Sequence, residues 1–267
     1  MEIADRRVLL TGATGGLGRA IASALAGHGG RLVLSARNAE ALQELADELP
    51  GGGHTILPAD LAEPGAAEKL AAEAGDVDIL VANAGLPAAG WLTDFTPEQA
   101  SRALRVNLES PMLMARALFP PMIERGSGHL VFISSLAGKA ASPRSSIYNA
   151  TKFGLRGFAL GLRTDLGPRG IGVSLVSPGF IRDAGMFAEA GARPPAGLGT
   201  GRPDQVGAAV IKAIEHDRTE ITVAPVQQRA LAHFGLASPA ISVRAQSGSV
   251  GQKAAKAVAD GHPAEKR

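Results

Sequence analysis

The sequence predicts an α/β protein built on one doubly wound parallel sheet, and three observations lead to this prediction. Short apolar runs alternate with longer amphipathic runs along most of the 267 residues. The short runs are nearly continuous in Val, Ile and Leu, as in strands that are covered on both faces. The 34 glycines and the low aromatic content of 4% suit close packing of helices on a sheet. Alternating strands and helices give parallel strands, and right-handed crossovers then wind the sheet in both directions.

Strands and helices are predicted in alternation from the first turn onward. The strands lie at 7–12, 31–36, 54–59, 77–82, 129–134, 172–177 and 220–224. The helices lie at roughly 16–28, 38–49, 63–74, 96–125, 146–167 and 203–216. Thr96 followed by Pro97 is typical of a helix start, and Pro64 and Pro203 lie near two others. A ligand crevice is expected at the carboxyl ends of the strands.

Residues 1–237 are predicted to form one domain, and two stretches of the chain depart from the alternation: one inside this domain and one after it. Residues 183–202 are rich in Gly, Ala and Pro and contain Met186 and Phe187. They are interpreted as a mobile lid over the crevice, with a disordered connection as the alternative. Residues 238–267 are interpreted as a basic, solvated tail of small residues with one helical segment, VGQKAAKAVA.

Composition and charge exclude several classes of protein. The formal charge of +2 and the absence of basic runs argue against a nucleic-acid partner. Without cysteine there are no disulfides, cysteine-ligated zinc sites or thiol catalysis, and no H-E-x-x-H pattern occurs, so no metal is predicted. No apolar run reaches the length of a membrane span, and MEIADRR before VLLTG does not resemble a signal peptide. A cytoplasmic location is therefore expected.

A glycine-rich turn, TGATGGLG, follows the first predicted strand and opens the first predicted helix. Gly12, Gly16 and Gly18 permit a tight turn and let backbone N–H groups approach a pyrophosphate, which the helix N-terminus also attracts. The spacing G-x-x-x-G-x-G differs from the G-x-G-x-x-G fingerprint, and no Lys-Ser/Thr pair follows as in a P-loop. The turn therefore predicts a dinucleotide site rather than a nucleotide triphosphatase.

The end of the second predicted strand indicates which dinucleotide is preferred. An Asp or Glu at this point would bond the ribose 2′-hydroxyl of NAD. The chain instead places Ala36 and Arg37 here, and no carboxylate appears before Glu40. An arginine presents a planar cation to a 2′-phosphate, so NADP(H) is favoured over NAD(H). The alternative is a surface arginine that only covers the end of the sheet.

Tyr148 is the only tyrosine in the chain, and Lys152 lies four residues after it. On the predicted 146–167 helix, residues i and i+4 share one face. A neighbouring ammonium lowers the pKa of a phenol by favouring the phenolate, as does a cationic nicotinamide. The pair is therefore predicted to act as general acid and base in an alcohol–carbonyl interconversion.

These motifs together resemble the short-chain dehydrogenase/reductase family, in its compact single-domain branch, over residues 5 to 225. The family's glycine motif corresponds to Thr11–Gly18, and its N-A-G to Asn83, Ala84 and Gly85. Its remaining motifs occur in order as Asp60, Asn107 in RVNLES, a serine in ISSLAG, Tyr148 with Lys152, and Pro178-Gly179. The resemblance implies a Rossmann-like NAD(P)-binding fold and an oxidoreductase.

The resemblance also implies roles for individual residues. The catalytic residues would be Asn107, Ser135, Tyr148 and Lys152. Asn107 would hold a proton-relaying water, and Ser135 would bond the substrate oxygen. Tyr148 would transfer the proton, and Lys152 would lower the tyrosine's pKa and bond the ribose. The family spacing selects Ser135 over Ser134. Cofactor contacts are implied for Gly12, Thr14, Gly15, Gly16, Leu17, Gly18, Arg37, Asp60, Leu61, Asn83, Ala84, Gly85, Tyr148, Lys152, Pro178, Gly179 and Ile181. No threonine follows Pro178-Gly179 until Thr200, so contacts from 182–187 are left open.

A hydrophobic alcohol or ketone is the predicted substrate, because the residues expected around the reacting centre are largely apolar. Substrate contacts are predicted for Ser135, Leu136, Tyr148, Phe180, Met186 and Phe187. A serine hydrolase is disfavoured, since no G-x-S-x-G occurs. The competing hypothesis is a cofactor-binding sensor or scaffold without turnover, although all four catalytic positions are filled.

A homodimer or homotetramer is also predicted. Gly154, Gly157 and Gly161 lie on the 146–167 helix beside Phe153, and small residues permit close helix–helix approach. The alternative is ordinary packing of this helix on the sheet.

Overall fold

The architecture is a seven-stranded, fully parallel sheet with helices on both faces, which confirms the predicted fold class. The computed structural model describes residues 1–192, 194–195 and 197–262. In this part of the chain the strands are ordered β3-β2-β1-β4-β5-β6-β7. They are Arg7–Thr11 (β1), Arg31–Ser35 (β2), Thr55–Ile56 (β3), Ile79–Ala82 (β4), Gly128–Ile133 (β5), Ile171–Pro178 (β6) and Glu220–Val223 (β7).

Helices follow most strands, as the alternation predicted. They are Gly16–Gly27 (α1), Ala39–Glu48 (α2), Ala66–Ala74 (α3), Pro97–Leu104 (α4), Ser110–Glu124 (α5), Ser146–Leu166 (α6), Gly185–Glu189 (α7), Pro203–Glu215 (α8), Val226–Ala237 (α9), Pro239–Gln246 (α10) and Ser249–Asp260 (α11). Among the described residues, no helix is both long enough and apolar enough to cross a bilayer.

Two apolar cores sandwich the sheet, because successive residues of a strand point to opposite faces. Val8 and Leu10 of β1 pack on one face with α1, α2 and α8. Leu9 packs on the other face, in the core that includes residues of α3, α5 and α6. The switch in strand order lies between β1 and β4, so the carboxyl ends of these strands open into a crevice there.

The single helix predicted over 96–125 is instead interrupted by a π-helical stretch, Arg105–Glu109, between α4 and α5. Pro111 explains the interruption, since it has no amide hydrogen to donate to the Asn107 carbonyl four residues earlier. The wider turn places Asn107 in the interior, where it is fully buried. π-Helical turns of this kind frequently mark functional sites.

The C-terminal region differs most from the sequence prediction. Where a solvated tail was expected from residue 238, the chain forms α10 and α11, and α11 contains the helical segment VGQKAAKAVA that was predicted there. The helix α9, directly before residue 238, was not predicted. Within 183–202 the structure describes the short helix α7 and a bridge between Ile181 and Gly201. Residues 193 and 196 of the predicted lid and 263–267 of the predicted tail lie outside the described residues. The division into a domain of residues 1–237 and a tail stays a prediction.

Candidate active site

A crevice of about 1250 Å³ opens at the carboxyl ends of the strands. Every residue with a predicted site role lines it, except Asn107. The crevice extends further than predicted, since residues of α9, α10 and α11 contribute to its wall. Arg102 and Glu189, which the sequence analysis did not single out, line it as well.

The glycine turn is held by side chains from two strand ends. The Thr11 hydroxyl accepts hydrogen bonds from the backbone N–H groups of Asn83 and Ala84, both at 3.1 Å. The Asn83 amide nitrogen donates in return to the carbonyls of Thr11 (3.0 Å) and Gly12 (3.1 Å). Gly12 has a φ of +64°, and a methyl group there would lie 2.8 Å from the Ala84 Cα. The turn therefore requires glycine and is fixed in shape before any ligand binds.

The N-terminus of α1 fits a bound pyrophosphate. Its N-cap is Gly15, which supplies no side-chain hydrogen bond, so the first N–H groups of the helix carry no side-chain cap. Gly15, Gly16 and Leu17 line the crevice at this point. An uncapped helix N-terminus attracts an anion through these N–H groups and the helix dipole. The residues present thus suit the pyrophosphate of a dinucleotide.

Arg37 lies at the far end of the crevice, directly after β2. Its side chain is exposed, lines the crevice, and forms no hydrogen bond or ion pair with the part of the chain that the structure describes. Asp60, after β3, accepts a hydrogen bond from the Ala62 N–H at 2.9 Å. Leu61 beside it is buried and also lines the crevice. The pair of Asp60 and Leu61 gives this end one polar and one apolar wall.

Tyr148 and Lys152 lie one turn apart at the start of α6. The Lys152 ammonium is 5.6 Å from the centre of the Tyr148 ring and donates a hydrogen bond to the Ile133 carbonyl at 3.0 Å. Lys152 is buried, whereas Tyr148 keeps partial access to the crevice. The spacing of four residues thus brings both groups to the same end of the crevice, as the helical periodicity predicted.

The pKa values of this pair are governed by burial. Desolvation raises the pKa of Tyr148 above its ordinary value, and a hydrogen bond with Ser135 acts in the opposite direction. Desolvation lowers the pKa of Lys152 to about 8, so the ammonium is still the main form at pH 7. The neighbouring ammonium predicted a lowered pKa for Tyr148, but burial raises this pKa because a neutral phenol is favoured out of water.

Ser135 and Ser134 point in different directions. Ser134 is buried, and its hydroxyl donates to the Lys152 carbonyl at 3.4 Å. Ser135 faces the crevice, accepts a hydrogen bond from the Ala137 N–H at 3.1 Å, and bonds Tyr148. The geometry thus brings Ser135 and not Ser134 to the tyrosine, and the role of Ser135 in bonding a substrate stays a prediction.

Asn107 lies behind the crevice wall. Its carbonyl oxygen accepts from the Leu86 N–H at 2.6 Å, and its amide nitrogen donates to the Leu86 carbonyl at 3.0 Å. The amide nitrogen also reaches the Thr151 hydroxyl at 3.4 Å, and Thr151 in turn bonds the Tyr148 carbonyl. Asn107 therefore connects the loop after β4 to α6, and the proton-relay role stays a prediction.

The loop after β6 closes the crevice with apolar side chains. The rings of Phe180 and Phe187 pack with their centres 4.6 Å apart. The Met186 methyl group would lie 3.3 Å from a methyl added at Gly85, so the two residues are neighbours. Ala184 likewise approaches Gly16, because a methyl there would lie 2.6 Å from the Ala184 Cβ. In this structure the loop therefore lies against the glycine turn.

Gln228 of α9 is a buried polar residue that the sequence analysis missed. It is 4% exposed, lines the crevice, and bonds the loop after β6. No local pattern in the sequence indicates it, because its partners lie 29 to 48 residues earlier in the chain. A helix prediction over 226–237 would have been needed to place it.

A doubly wound parallel sheet with a crevice at its switch point defines a Rossmann-like class of α/β protein. The chain belongs to the short-chain dehydrogenase family of oxidoreductases, whose family model matches residues 6–194. This confirms the resemblance inferred from the motifs.

Known members are similar over different shares of the chain. A dehydrogenase/reductase SDR family member 7B from Bos taurus is 41% identical over 186 residues, 65% of this chain and 57% of that protein. Ketoacyl reductase HetN from a Nostoc species is 34% identical over 227 residues, 83% of this chain and 79% of that protein. A solved short-chain dehydrogenase from Sphingobium yanoikuyae in complex with NADPH has a TM-score of 0.76 and 30% identity, covering 89% of this chain and 95% of that one. The chain thus spans little more than half the length of its bovine relative.

Proposed function

We propose that the chain transfers a hydride between NADP(H) and a hydrophobic alcohol or ketone, with Tyr148 as general acid and base. The observation that carries this proposal is the Tyr148 phenol, hydrogen-bonded with Ser135 and one helical turn from the buried Lys152 ammonium. NADP(H), when bound, supplies or accepts the hydride.

Each of these side chains has a separate role in carbonyl reduction. The raised pKa of Tyr148 keeps the phenol protonated near neutrality, so it can donate its proton to the substrate oxygen as negative charge develops there. Ser135, at its side, orients that oxygen by a hydrogen bond. The Lys152 ammonium favours the phenolate that remains after the transfer. Asn107 holds the loop at Leu86 in place beside them.

The preference for NADP(H) rests on Arg37, which lies exposed at the crevice end after β2 with no carboxylate beside it in sequence. The NADPH complex of the Sphingobium relative supports this preference. The pyrophosphate would be held by Gly15, Gly16 and Leu17. The adenine would lie against Asp60 and Leu61. Asn83 to Gly85 would follow the ribose, and Pro178 to Ile181 the nicotinamide.

Arg37→Asp is expected to weaken NADPH binding by about 10- to 100-fold, because a cation facing the 2′-phosphate is replaced by an anion. NADH binding should change by less than about threefold. Fluorescence titration of both cofactors measures the ratio. Arg169→Asp, which changes the same charge on an exposed arginine outside the crevice lining, is the matched control. An unchanged preference in Arg37→Asp would show that the arginine only covers the sheet end.

A hydrophobic carbonyl compound is the proposed substrate. Pro87, Leu136, Ala137, Pro143 and Phe180 line the crevice, and Met186 and Phe187 cover it. The ketoacyl reductase among the relatives supports a carbonyl on an apolar chain.

The test is NADPH oxidation at 340 nm with a panel of hydrophobic ketones, and sugar phosphates as the polar comparison. Oxidation with the ketones is expected. Tight NADPH binding without oxidation by any compound would favour the sensor or scaffold instead.

A homodimer or homotetramer through α6 is also proposed. Phe153 is 40% exposed, and a methyl group added at Gly157 or Gly161 would meet no neighbouring described atom within 4 Å. Gly154, the third glycine of the predicted stripe, instead packs on Leu108 of the same chain, where an added methyl group would lie 3.0 Å from the leucine side chain. This exposed stripe suits close approach of a second copy. Light scattering that gives a monomer mass at micromolar concentration would contradict it. The cytoplasm is the proposed location, which fractionation of expressing cells would test.

A further inference from the structure

The side chain of Gln228 uses its amide to connect three backbone groups. Its oxygen accepts a hydrogen bond from the Phe180 N–H at 3.0 Å. Its nitrogen donates to the Gly199 carbonyl at 2.9 Å and to the Leu198 carbonyl at 3.2 Å. With both N–H donors and the oxygen engaged, this buried amide is satisfied only while the three backbone groups keep their positions.

These backbone groups belong to the two ends of one loop. The ends also pair with each other: the Arg182 N–H donates to the Gly201 carbonyl at 3.1 Å, and the Gly201 N–H donates to the Phe180 carbonyl at 2.8 Å. Gln228 lies close against these paired ends, because a methyl group added at Gly179 would overlap the side-chain oxygen of Gln228. One helix outside the loop thus holds both of its ends.

The position of the paired loop ends determines where the apolar side chains of the loop lie over the crevice. The residue that Gln228 holds, Phe180, packs its ring on Phe187. Between these two residues, Ala184 and Met186 contact the glycine turn and Gly85. Releasing the Phe180 backbone would therefore shift the side chains that close the crevice, while leaving Tyr148 and Lys152 on the separate helix α6.

We propose that Gln228 is a positioning residue, which fixes the two ends of the loop after β6 at Phe180 and Gly199. It thereby holds the side chains of Met186 and Phe187 over the reacting centre and sets the affinity for the carbonyl substrate. The kinetic part of this inference rests on the proposed oxidoreductase function. The structural part, that Gln228 restrains the base of the loop, stands without it.

The test compares Gln228→Ala and Gln228→Met with Gln227→Ala. Gln227 is the preceding residue on α9, and its exposed side chain forms no hydrogen bond with the described part of the chain. For both Gln228 variants, KM for a ketone is expected to rise about tenfold with kcat changed by less than about threefold, because the lost hydrogen bonds restrain the loop and not the proton donor. Met keeps the side-chain volume, so it decides the result if Ala prevents folding.

Hydrogen–deuterium exchange of a peptide covering 179–187 provides a readout that needs no turnover. Exchange is expected to be faster in both Gln228 variants than in the wild type or Gln227→Ala. Unchanged exchange would overturn the inference, as would a fall in kcat at unchanged KM. If the wild type reduces no carbonyl, the proposed function fails, and the exchange result alone decides whether Gln228 holds the loop.

Discussion

Tyr148→Phe is expected to lower kcat for carbonyl reduction by about 10²- to 10⁴-fold, the usual contribution of a general acid. The substitution removes only the hydroxyl group, and the phenyl ring can stay beside Ile147 and Phe95 in its small apolar cluster. NADPH affinity should stay within about tenfold, since at most one hydrogen bond to the cofactor is lost. Stopped-flow absorbance at 340 nm measures the rate, and NADPH fluorescence measures the affinity.

Ser145→Ala serves as the control for Tyr148→Phe. It removes a hydroxyl from the residue that precedes α6, and this hydroxyl donates to the Pro143 carbonyl at 3.2 Å and bonds no other residue that the structure describes. This variant should keep kcat within about threefold of the wild type. If Tyr148→Phe turned over at a comparable rate, another group would have to supply the proton and the proposed mechanism would be wrong.

Gly18→Ala should disrupt the cofactor turn more severely than any other conservative change in it. A methyl group at this position would overlap the Gly12 carbonyl and lie 2.7 Å from the Ala13 oxygen, both of which are backbone atoms. The turn would have to move away from α1, at a cost of about 1–3 kcal/mol in the free energy of unfolding. NADPH affinity should fall by at least about tenfold, because the N–H groups around the pyrophosphate move with the turn.

Gly27→Ala is the matched control for the glycine turn. Gly27 is the last residue of the same helix, and no described atom lies within 4 Å of a methyl group added there. Urea unfolding and NADPH titration of the two variants separate a general effect of alanine from the local overlap. Wild-type affinity in a folded Gly18→Ala protein would contradict the assigned pyrophosphate position.

The fold and most of the crevice could be predicted because their signals are local. The apolar runs define the strands, and strand ends in a parallel sheet meet at one edge. The spacing from Tyr148 to Lys152 needs only helical periodicity. At Gly12 and Gly18 an added side chain would collide with backbone atoms, and the spacing of the glycines already indicated a tight turn there.

Three features could not be predicted, and each depends on distant contacts. The π-helical turn at Asn107 forms between two helices whose sequence pattern is continuous, although Pro111 gives a signal in retrospect. Of the helices after β7, α9 and α10 have weak apolar periodicity and were not predicted, whereas α11 matches the helical segment predicted in the tail. The pKa of Tyr148 depends on how far the folded chain excludes water from the phenol, which no spacing of residues reveals.

The central claim is that Tyr148 exchanges the substrate proton beside a bound nicotinamide, and ultraviolet titration of the phenolate tests it directly. Tyr148 is the only tyrosine, so the absorbance change on ionisation reports this residue alone. In the free protein, ionisation is expected above the ordinary pKa of about 10, since burial favours the neutral phenol. With NADP⁺ bound, ionisation is expected at lower pH, because a positive charge beside the phenol favours the phenolate. An equal or higher pKa in the complex would place the cofactor's charge elsewhere and contradict the account.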